Sequence, residues 1–134
     1  MMLEIGQCRL NVFASIVIWT NQLISYVKEP WIELVIIVKP ENQTGTNLDS
    51  KMDKVFLKIL TMFSKIFQET GVYVTNEMQD GEAFIGIVGG LEEKLWEFDY
   101  AIIPSHHLLH YQNVPEDFNS CTIPSGICFL INTA

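Results

Sequence analysis

The hydrophobic positions of the chain fall into several apolar runs of strand length. Trp31 to Val38, WIELVIIV, is a near-continuous β-branched run that Pro40 ends. This pattern is typical of a central parallel strand buried on both faces. Phe98 to Ile103 and Ile127 to Ile131 are two further apolar runs, which we predict to be buried strands. Cys8 to Val27 is apolar without clean periodicity, and it predicts one strand or short helix followed by a second amphipathic piece.

Apolar residues between Lys51 and Glu69 recur every three or four positions and predict the clearest helix. The stripe consists of Val55, Ile59, Met62, Phe63 and Ile66. Asp49 or Ser50 can cap the N-terminus of this helix, and Gly71 supplies a C-terminal stop. A stripe of this kind is typical of a core-facing surface, so we assign it no role in a site.

The elements that follow this helix alternate in type. In order they are a strand, an apolar piece, a short helix and a strand, at Val72 to Thr75, Phe84 to Val88, Leu91 to Trp96 and Phe98 to Ile103. Strands that alternate with helices predict an α/β fold, with a mostly parallel sheet flanked by helices. Such sheets bind ligands at the carboxyl ends of their strands. We therefore expect a ligand cleft in the segment that follows Ile103.

The composition is that of one globular domain, or of one lobe of a larger domain. The chain has 134 residues, of which 49% are hydrophobic and 18% charged, so it can build a core and is too apolar for general disorder. The formal net charge is −8, with only eight scattered Lys and Arg residues. Because phosphate binding needs clustered basic side chains, this balance argues against nucleic acid and anionic membrane surfaces as partners.

The N-terminal apolar segment, residues 1–28, has two interpretations. Leu10 to Trp19 has about the length of a signal-peptide core, which is consistent with a signal or with the remnant of a preceding domain. However, Glu4 is the only charged residue before Arg9, and no clean A-x-A cleavage site follows. Those features favour an ordinary buried strand or helix. No apolar run in the sequence reaches the ~20 residues of a membrane-spanning helix.

Residues with catalytic or metal-binding chemistry are few and poorly arranged. His106 and His110 are four positions apart, so on a helix they would share a face and could chelate zinc, but the HExxH motif is absent. Ser105 lacks the GxSxG elbow of hydrolases, and Gly86 to Gly90 lacks a nucleotide-binding fingerprint. We therefore predict no catalytic residue, no metal and no cofactor.

The cysteines are Cys8, Cys121 and Cys128, and none of them belongs to a CxxC motif. Three cysteines cannot close a complete disulfide framework, because one is always left over. We expect buried or unpaired thiols.

Several short motifs, taken in order, resemble a known receptor family. Phe84 to Gly89 (FIGIVG) stands where that family has Trp-Asn-Gly-Met-(Ile/Val)-Gly, and Asp99 to Pro104 (DYAIIP) stands near its Ala-Asp-Ile-Ala-x-x-Pro strand. Asp117-Phe118 matches its Asp-Phe-Ser, and the spacing from there through Gly126 agrees without a gap. From Trp31 to Ile131 the chain resembles the first half (S1) of the ligand-binding domain of ionotropic glutamate receptors. It is most similar to their divergent chemosensory relatives in insects and other protostomes.

The resemblance implies both a fold and a function. Residues 29–134 would form a periplasmic-binding-protein-like S1 lobe with a mostly parallel sheet, incomplete without its second lobe (S2). The parent protein would be a ligand-gated cation channel of the plasma membrane, with this lobe on the extracellular side, and not an enzyme. The implied partners are a small-molecule ligand, the S2 lobe and pore of the same receptor, and co-receptor subunits in a tetramer. Closure over the ligand would shift the channel between closed and open states.

The same resemblance selects ligand-binding residues and reveals one departure. Amino-acid-gated members place a Thr and then a carboxylate-gripping Arg after the proline strand, and a bidentate Arg is hard to replace. Here the Thr position falls at His106 and the Arg position at Tyr111 or Gln112, while the only arginine is Arg9. Loss of this Arg is common in the chemosensory branch. The predicted ligand-binding residues are Pro104, His106, Tyr111 and Gln112, and a histidine there is compatible with amines, acids or protons as ligands.

Two alternative functions stay open. The first is a small soluble α/β domain that binds a solute or another protein. The second is a zinc or cysteine-histidine enzyme. The chain encoded after residue 134 would distinguish the first alternative, because a channel needs apolar spans of ~20 residues there. Metal analysis of the purified protein would distinguish the second.

Overall fold

A computed structural model describes residues 2–5, 8–20, 29–40, 50–76, 78–79 and 81–131. The chain divides into two compact units, Met1–Lys58 and Ile59–Ala134. The amphipathic piece expected before Val27 and the Asp49 helix cap lie outside the described residues.

The first unit contains a three-stranded antiparallel sheet with the order β1-β2-β3. Its strands are β1 (Met2–Ile5), β2 (Cys8–Trp19) and β3 (Trp31–Pro40). The β2–β3 ladder is the longer one and runs from Leu10 opposite Pro40 to Trp19 opposite Trp31. At its far end the indole nitrogen of Trp19 donates a hydrogen bond of 2.6 Å to the Glu33 carboxylate.

The second unit contains a four-stranded antiparallel sheet with the order β4-β5-β7-β6. Its strands are β4 (Val72–Val74), β5 (Tyr100–Ile103), β6 (Phe118–Ile123) and β7 (Gly126–Ile131). β6 and β7 form a hairpin in which Ile123 lies opposite Gly126, so only Pro124 and Ser125 connect them. Among the described strands, β5 and β7 are central and β4 and β6 are at the edges.

Helices are short except for the first. α1 (Ser50–Ile66) confirms the helix expected from the apolar stripe, although it ends five residues before Gly71. α2 (Phe84–Val88) has five residues. Two 3₁₀ turns complete the set of described helices, at Glu92–Lys94 and at Ser105–Tyr111; the second of these is called the histidine turn below.

The core of the second unit is aromatic and covers one face of its sheet. Successive side chains of a strand alternate between faces, and on this face Ala101 lies opposite Phe129. The Trp96 ring is the centre of the cluster, because its centroid lies 5.8 Å from that of Phe98, 4.9 Å from that of Phe118 and 5.0 Å from that of Phe129. Phe98 and Phe129 are fully buried. Aromatic pairs at these spacings add to the free energy of burial.

The expectation of a periplasmic-binding-protein-like lobe with a mostly parallel sheet flanked by helices is wrong. Every strand pair in the described part of the chain is antiparallel. A two-residue turn such as that between β6 and β7 can join only antiparallel strands. In its described residues the connection from β4 to β5 contains α2 and the short Glu92–Lys94 turn, and the two strands that it joins pair antiparallel.

The predicted direction and burial of the strand at Trp31–Pro40 are wrong for the same reason. The β-branched run does form a strand, but β3 lies at the edge of its described sheet and pairs antiparallel with β2. Its side chains are not buried on both faces, since Ile32 is 71% exposed. β-branched residues favour extended backbone whatever the direction of the neighbouring strand.

Candidate functional site

The candidate site is the histidine turn, which begins where β5 ends at Pro104. Pro104 is buried, with φ −60° and ψ 148°, and it cannot donate a hydrogen bond to continue a ladder. Gly71 packs against it closely enough that a Cβ there would lie 2.9 Å from the Pro104 Cδ atom. A Cβ on Gly126 would lie 2.9 Å from the Ile103 carbonyl carbon and 3.2 Å from the Pro104 Cα. Two glycines therefore fix the point at which the turn leaves the sheet.

The three histidines of the turn form a contiguous row. The His106 and His107 ring centroids are 4.1 Å apart, and those of His107 and His110 are 6.0 Å apart. A 3₁₀ helix has three residues per turn, so positions i and i+3 are aligned. His107 and His110 therefore share a side of the turn, and the pairing of His106 with His110 that an α-helix would give is not formed.

His106 and His107 both contact one backbone oxygen. The Nε2 atom of His106 lies 3.2 Å from the Glu69 carbonyl oxygen, and the Nε2 atom of His107 makes a short contact with the same oxygen. A carbonyl can only accept, so each bonded Nε2 carries its proton. This arrangement connects the turn to the segment before β4.

The surroundings of His107, the central histidine of the row, favour its neutral form. Burial lowers the pKa of His107, and neighbouring His106 and His110 lower it further, while the bond to the Glu69 carbonyl opposes the shift. A group whose ordinary pKa is about 6.5 is then neutral at pH 7.

Tyr111, the last residue of the turn, belongs to the aromatic core. Its side chain is 3% exposed. Its ring stacks on Phe129 with centroids 5.5 Å apart and meets the edge of Trp96 at 5.0 Å. Its hydroxyl is buried and has no hydrogen-bond partner among the described residues. It interacts with the Tyr73 hydroxyl, which donates a hydrogen bond of 2.6 Å to the Thr70 carbonyl. Burial raises the pKa of Tyr111.

The four residues predicted to bind a ligand thus divide into two pairs. His106 and Gln112 are exposed, while Pro104 and Tyr111 are buried. The exposed pair can contact a solute directly, and the buried pair determines where the turn sits. Sequence reasoning missed the Glu69 carbonyl, because a backbone oxygen leaves no signal in residue identity.

The histidine turn exposes imidazole and amide side chains. No group of three or more His, Cys, Asp or Glu side chains in the described residues is arranged to hold a metal ion. Within the same residues, no helix combines the length and the apolar character that crossing a membrane requires. Imidazole and amide side chains next to a carbonyl oxygen offer both donors and acceptors to a small polar molecule.

Comparisons with protein-family models, curated proteins and solved structures found no match for the chain. The ionotropic-receptor resemblance therefore stays a prediction from sequence motifs.

Proposed function

We propose that this chain supplies the S1 part of the ligand-binding domain of a chemosensory-type ionotropic receptor, whose intact form is a ligand-gated cation channel. The observation that carries the proposal is the exposed polar turn at the end of a buried strand. β5 is buried from Ala101 to Ile103, and His106 and Gln112 are exposed a few residues later. These are the positions at which the family resemblance puts the ligand contacts. The proposal rests on these motifs and on this turn, and it does not require a parallel sheet.

The residues that carry the resemblance also determine the packing of the second unit. A Cβ on Gly86 would lie 2.9 Å from the Leu95 backbone nitrogen, so glycine is needed at the centre of the FIGIVG motif. Gly126 packs on the end of β5 in the same way. Phe118, from the Asp-Phe motif, is buried in the aromatic core. Three of the motif residues therefore have packing roles within the second unit.

The ligand that fits this turn best is a small carboxylic acid. The turn offers the imidazole of His106 and the amide of Gln112, both exposed, and no guanidinium. A cationic imidazole pairs with a carboxylate without the bidentate geometry that arginine supplies. In the parent receptor this surface would face the extracellular side of the plasma membrane and be closed by the S2 lobe, with co-receptor subunits completing a tetramer.

The direct test is ligand-dependent thermal stabilisation of the 134-residue chain. The probes are straight-chain monocarboxylic acids and the matching primary amines, each titrated at pH 5.5 and pH 7.5. We expect saturable stabilisation by acids that is larger at pH 5.5. His106→Gln, and separately Gln112→Ala, should abolish it. Asn113→Ala is the matched control, because Asn113 is exposed beside the turn and is outside the proposed contacts.

Two results would contradict the proposal. Stabilisation that survives His106→Gln and Gln112→Ala together would remove the site assignment. Stabilisation by amines alone would overturn the ligand class. The receptor assignment has its own test in the transcript, read past the codon for Ala134. Coding sequence for apolar spans of ~20 residues supports a channel, whereas a stop codon in abundant message supports a stand-alone binding domain.

A further inference from the structure

Cys121 and Cys128 lie directly opposite each other on neighbouring strands. They form one rung of the β6–β7 ladder, two rungs from the Ile123–Gly126 pair that closes the hairpin. Side chains of directly opposed residues in an antiparallel pair project from the same face, with Cα atoms roughly 4.5 to 5.5 Å apart. A disulfide bridges Cα atoms separated by about 4.4 to 6.8 Å. The backbone therefore already holds the two thiols within bonding span.

The two thiols differ in access. Both are free; Cys121 is exposed on the edge strand β6, and Cys128 is half-buried on the central strand β7. The Tyr100 hydroxyl donates a hydrogen bond of 3.2 Å to the Cys128 sulfur. Burial raises the pKa of Cys128, the Tyr100 hydrogen bond opposes that shift, and the nearby Cys121 thiol adds to it.

We propose that Cys121 and Cys128 form a thiol modification site, a vicinal dithiol that a low-molecular-weight disulfide converts reversibly into a cross-strand disulfide. Cys121 is the residue that reacts first, because it is exposed. Cys128 is the resolving thiol, since its position opposite Cys121 allows it to attack without a change in strand pairing. The proposal stands on the hairpin register and does not depend on the receptor assignment.

The reaction balances in two exchange steps. The Cys121 thiolate attacks one sulfur of the oxidant and forms a mixed disulfide, releasing one thiol of the oxidant. The Cys128 thiolate then attacks the Cys121 sulfur, forms the Cys121–Cys128 bond and releases the second thiol. The protein loses two thiol protons and two electrons, and the oxidant is reduced to two thiols. The thiolate is the nucleophile, and the raised pKa of Cys128 lowers the fraction of Cys128 that is thiolate at neutral pH. The second step should therefore become faster as the pH rises.

The test is a titration of the native 134-residue chain with oxidised glutathione, read by intact mass, free-thiol count and peptide mapping. We expect the free-thiol count to fall from three to one, with no glutathione retained and with Cys121 linked to Cys128. Cys8→Ser should form the same bridge, because Cys8 lies outside the hairpin. Cys128→Ser should accumulate one glutathione on Cys121, and Cys121→Ser should form no bridge.

A second probe tests the thiol spacing without oxidation. A trivalent arsenical binds two thiols at once, so one equivalent should protect both hairpin cysteines of the wild-type chain from alkylation. In Cys121→Ser and in Cys128→Ser it should leave the one remaining hairpin cysteine unprotected. Retention of glutathione on Cys121 and Cys128 together, a bridge that includes Cys8, or a chain-to-chain disulfide would each overturn the proposal. Failure of the carboxylic-acid titration would leave this result unaffected, so the two proposals can fail separately.

Discussion

The Ser64 and Ser125 hydroxyl oxygens lie 2.7 Å apart, and this contact connects the end of α1 to the turn of the β6–β7 hairpin. Ser64 is 2% exposed, and its hydroxyl also lies 2.7 Å from the Thr61 carbonyl oxygen. A hydroxyl has one proton, and a carbonyl can only accept. Ser64 therefore donates to Thr61, and Ser125 donates to Ser64. The direction of the Ser125–Ser64 hydrogen bond is thus set by the Thr61 carbonyl of the helix.

Loss of this hydrogen bond should destabilise the chain measurably. We expect Ser125→Ala to lower the free energy of unfolding by about 1 kcal/mol, the net value of a hydrogen bond in a protein. Adding Ser64→Ala should cost less than the sum of the single changes, because both remove the same bond. Urea unfolding of the four chains measures this coupling. Ser120→Ala, at an exposed serine of β6, is the control, and strict additivity would contradict the pairing.

Gly126 and Gly90 provide a matched test of the packing at the end of β5. Gly126 has φ +153° and leaves no room for a Cβ beside Ile103 and Pro104, whereas Gly90 has φ +69° and no atom within 4 Å of that position. Both substitutions by Ala incur the strain of positive φ, about 1 to 2 kcal/mol. Gly126→Ala should cost at least about 2 kcal/mol more, because the strand must also move. Equal losses in urea unfolding would contradict the close contact.

Local signals in the sequence predicted α1, β3, β4, β5 and β7. The three- and four-residue spacing of Ile59, Met62 and Ile66 specifies a helix whatever surrounds it, and α1 confirms it. Apolar runs of strand length likewise predicted β3, β5 and β7. β6 lies in a segment whose middle positions are exposed and polar, including Ser120 and Thr122, so hydropathy did not indicate an edge strand there.

Strand direction could not be predicted, because it depends on partners distant in sequence. An apolar run such as Trp31 to Val38 is compatible with a parallel or an antiparallel neighbour. The same limit applies to the candidate site. His106 and Gln112 are exposed as a binding role requires, but the histidine row depends on 3₁₀ geometry, which the residue spacing did not indicate.

The buried Tyr111 hydroxyl should contribute nothing to stability. A buried polar group without a hydrogen bond costs free energy, and the Tyr111 hydroxyl has no partner among the described residues. Tyr111→Phe should therefore leave the free energy of unfolding unchanged or raise it by up to about 1 kcal/mol. Tyr73→Phe is the contrasting variant, because it removes the bond to the Thr70 carbonyl, and it should lower stability by about 1 kcal/mol. A large loss for Tyr111→Phe in chemical denaturation would show that the hydroxyl is bonded.

His107 should make stability depend on pH between about 7.5 and 5.5. In the folded chain the pKa of His107 is lowered by burial and by its histidine neighbours, while in the unfolded chain it is near 6.5. The unfolded state therefore binds more protons in this range, so this contribution to stability is complete above the unfolded pKa and is lost as the pH falls through the folded one. His107→Gln keeps a donor for the Glu69 carbonyl but cannot titrate. We expect it to lose less stability between pH 7.5 and pH 5.5 than the wild type loses. Asn113→Ala is the control, because Asn113 is exposed beside the turn and has no titratable group. Identical pH profiles for His107→Gln and the wild type would show that His107 keeps an ordinary pKa in the folded chain, and NMR titration of its ring protons would measure that pKa directly.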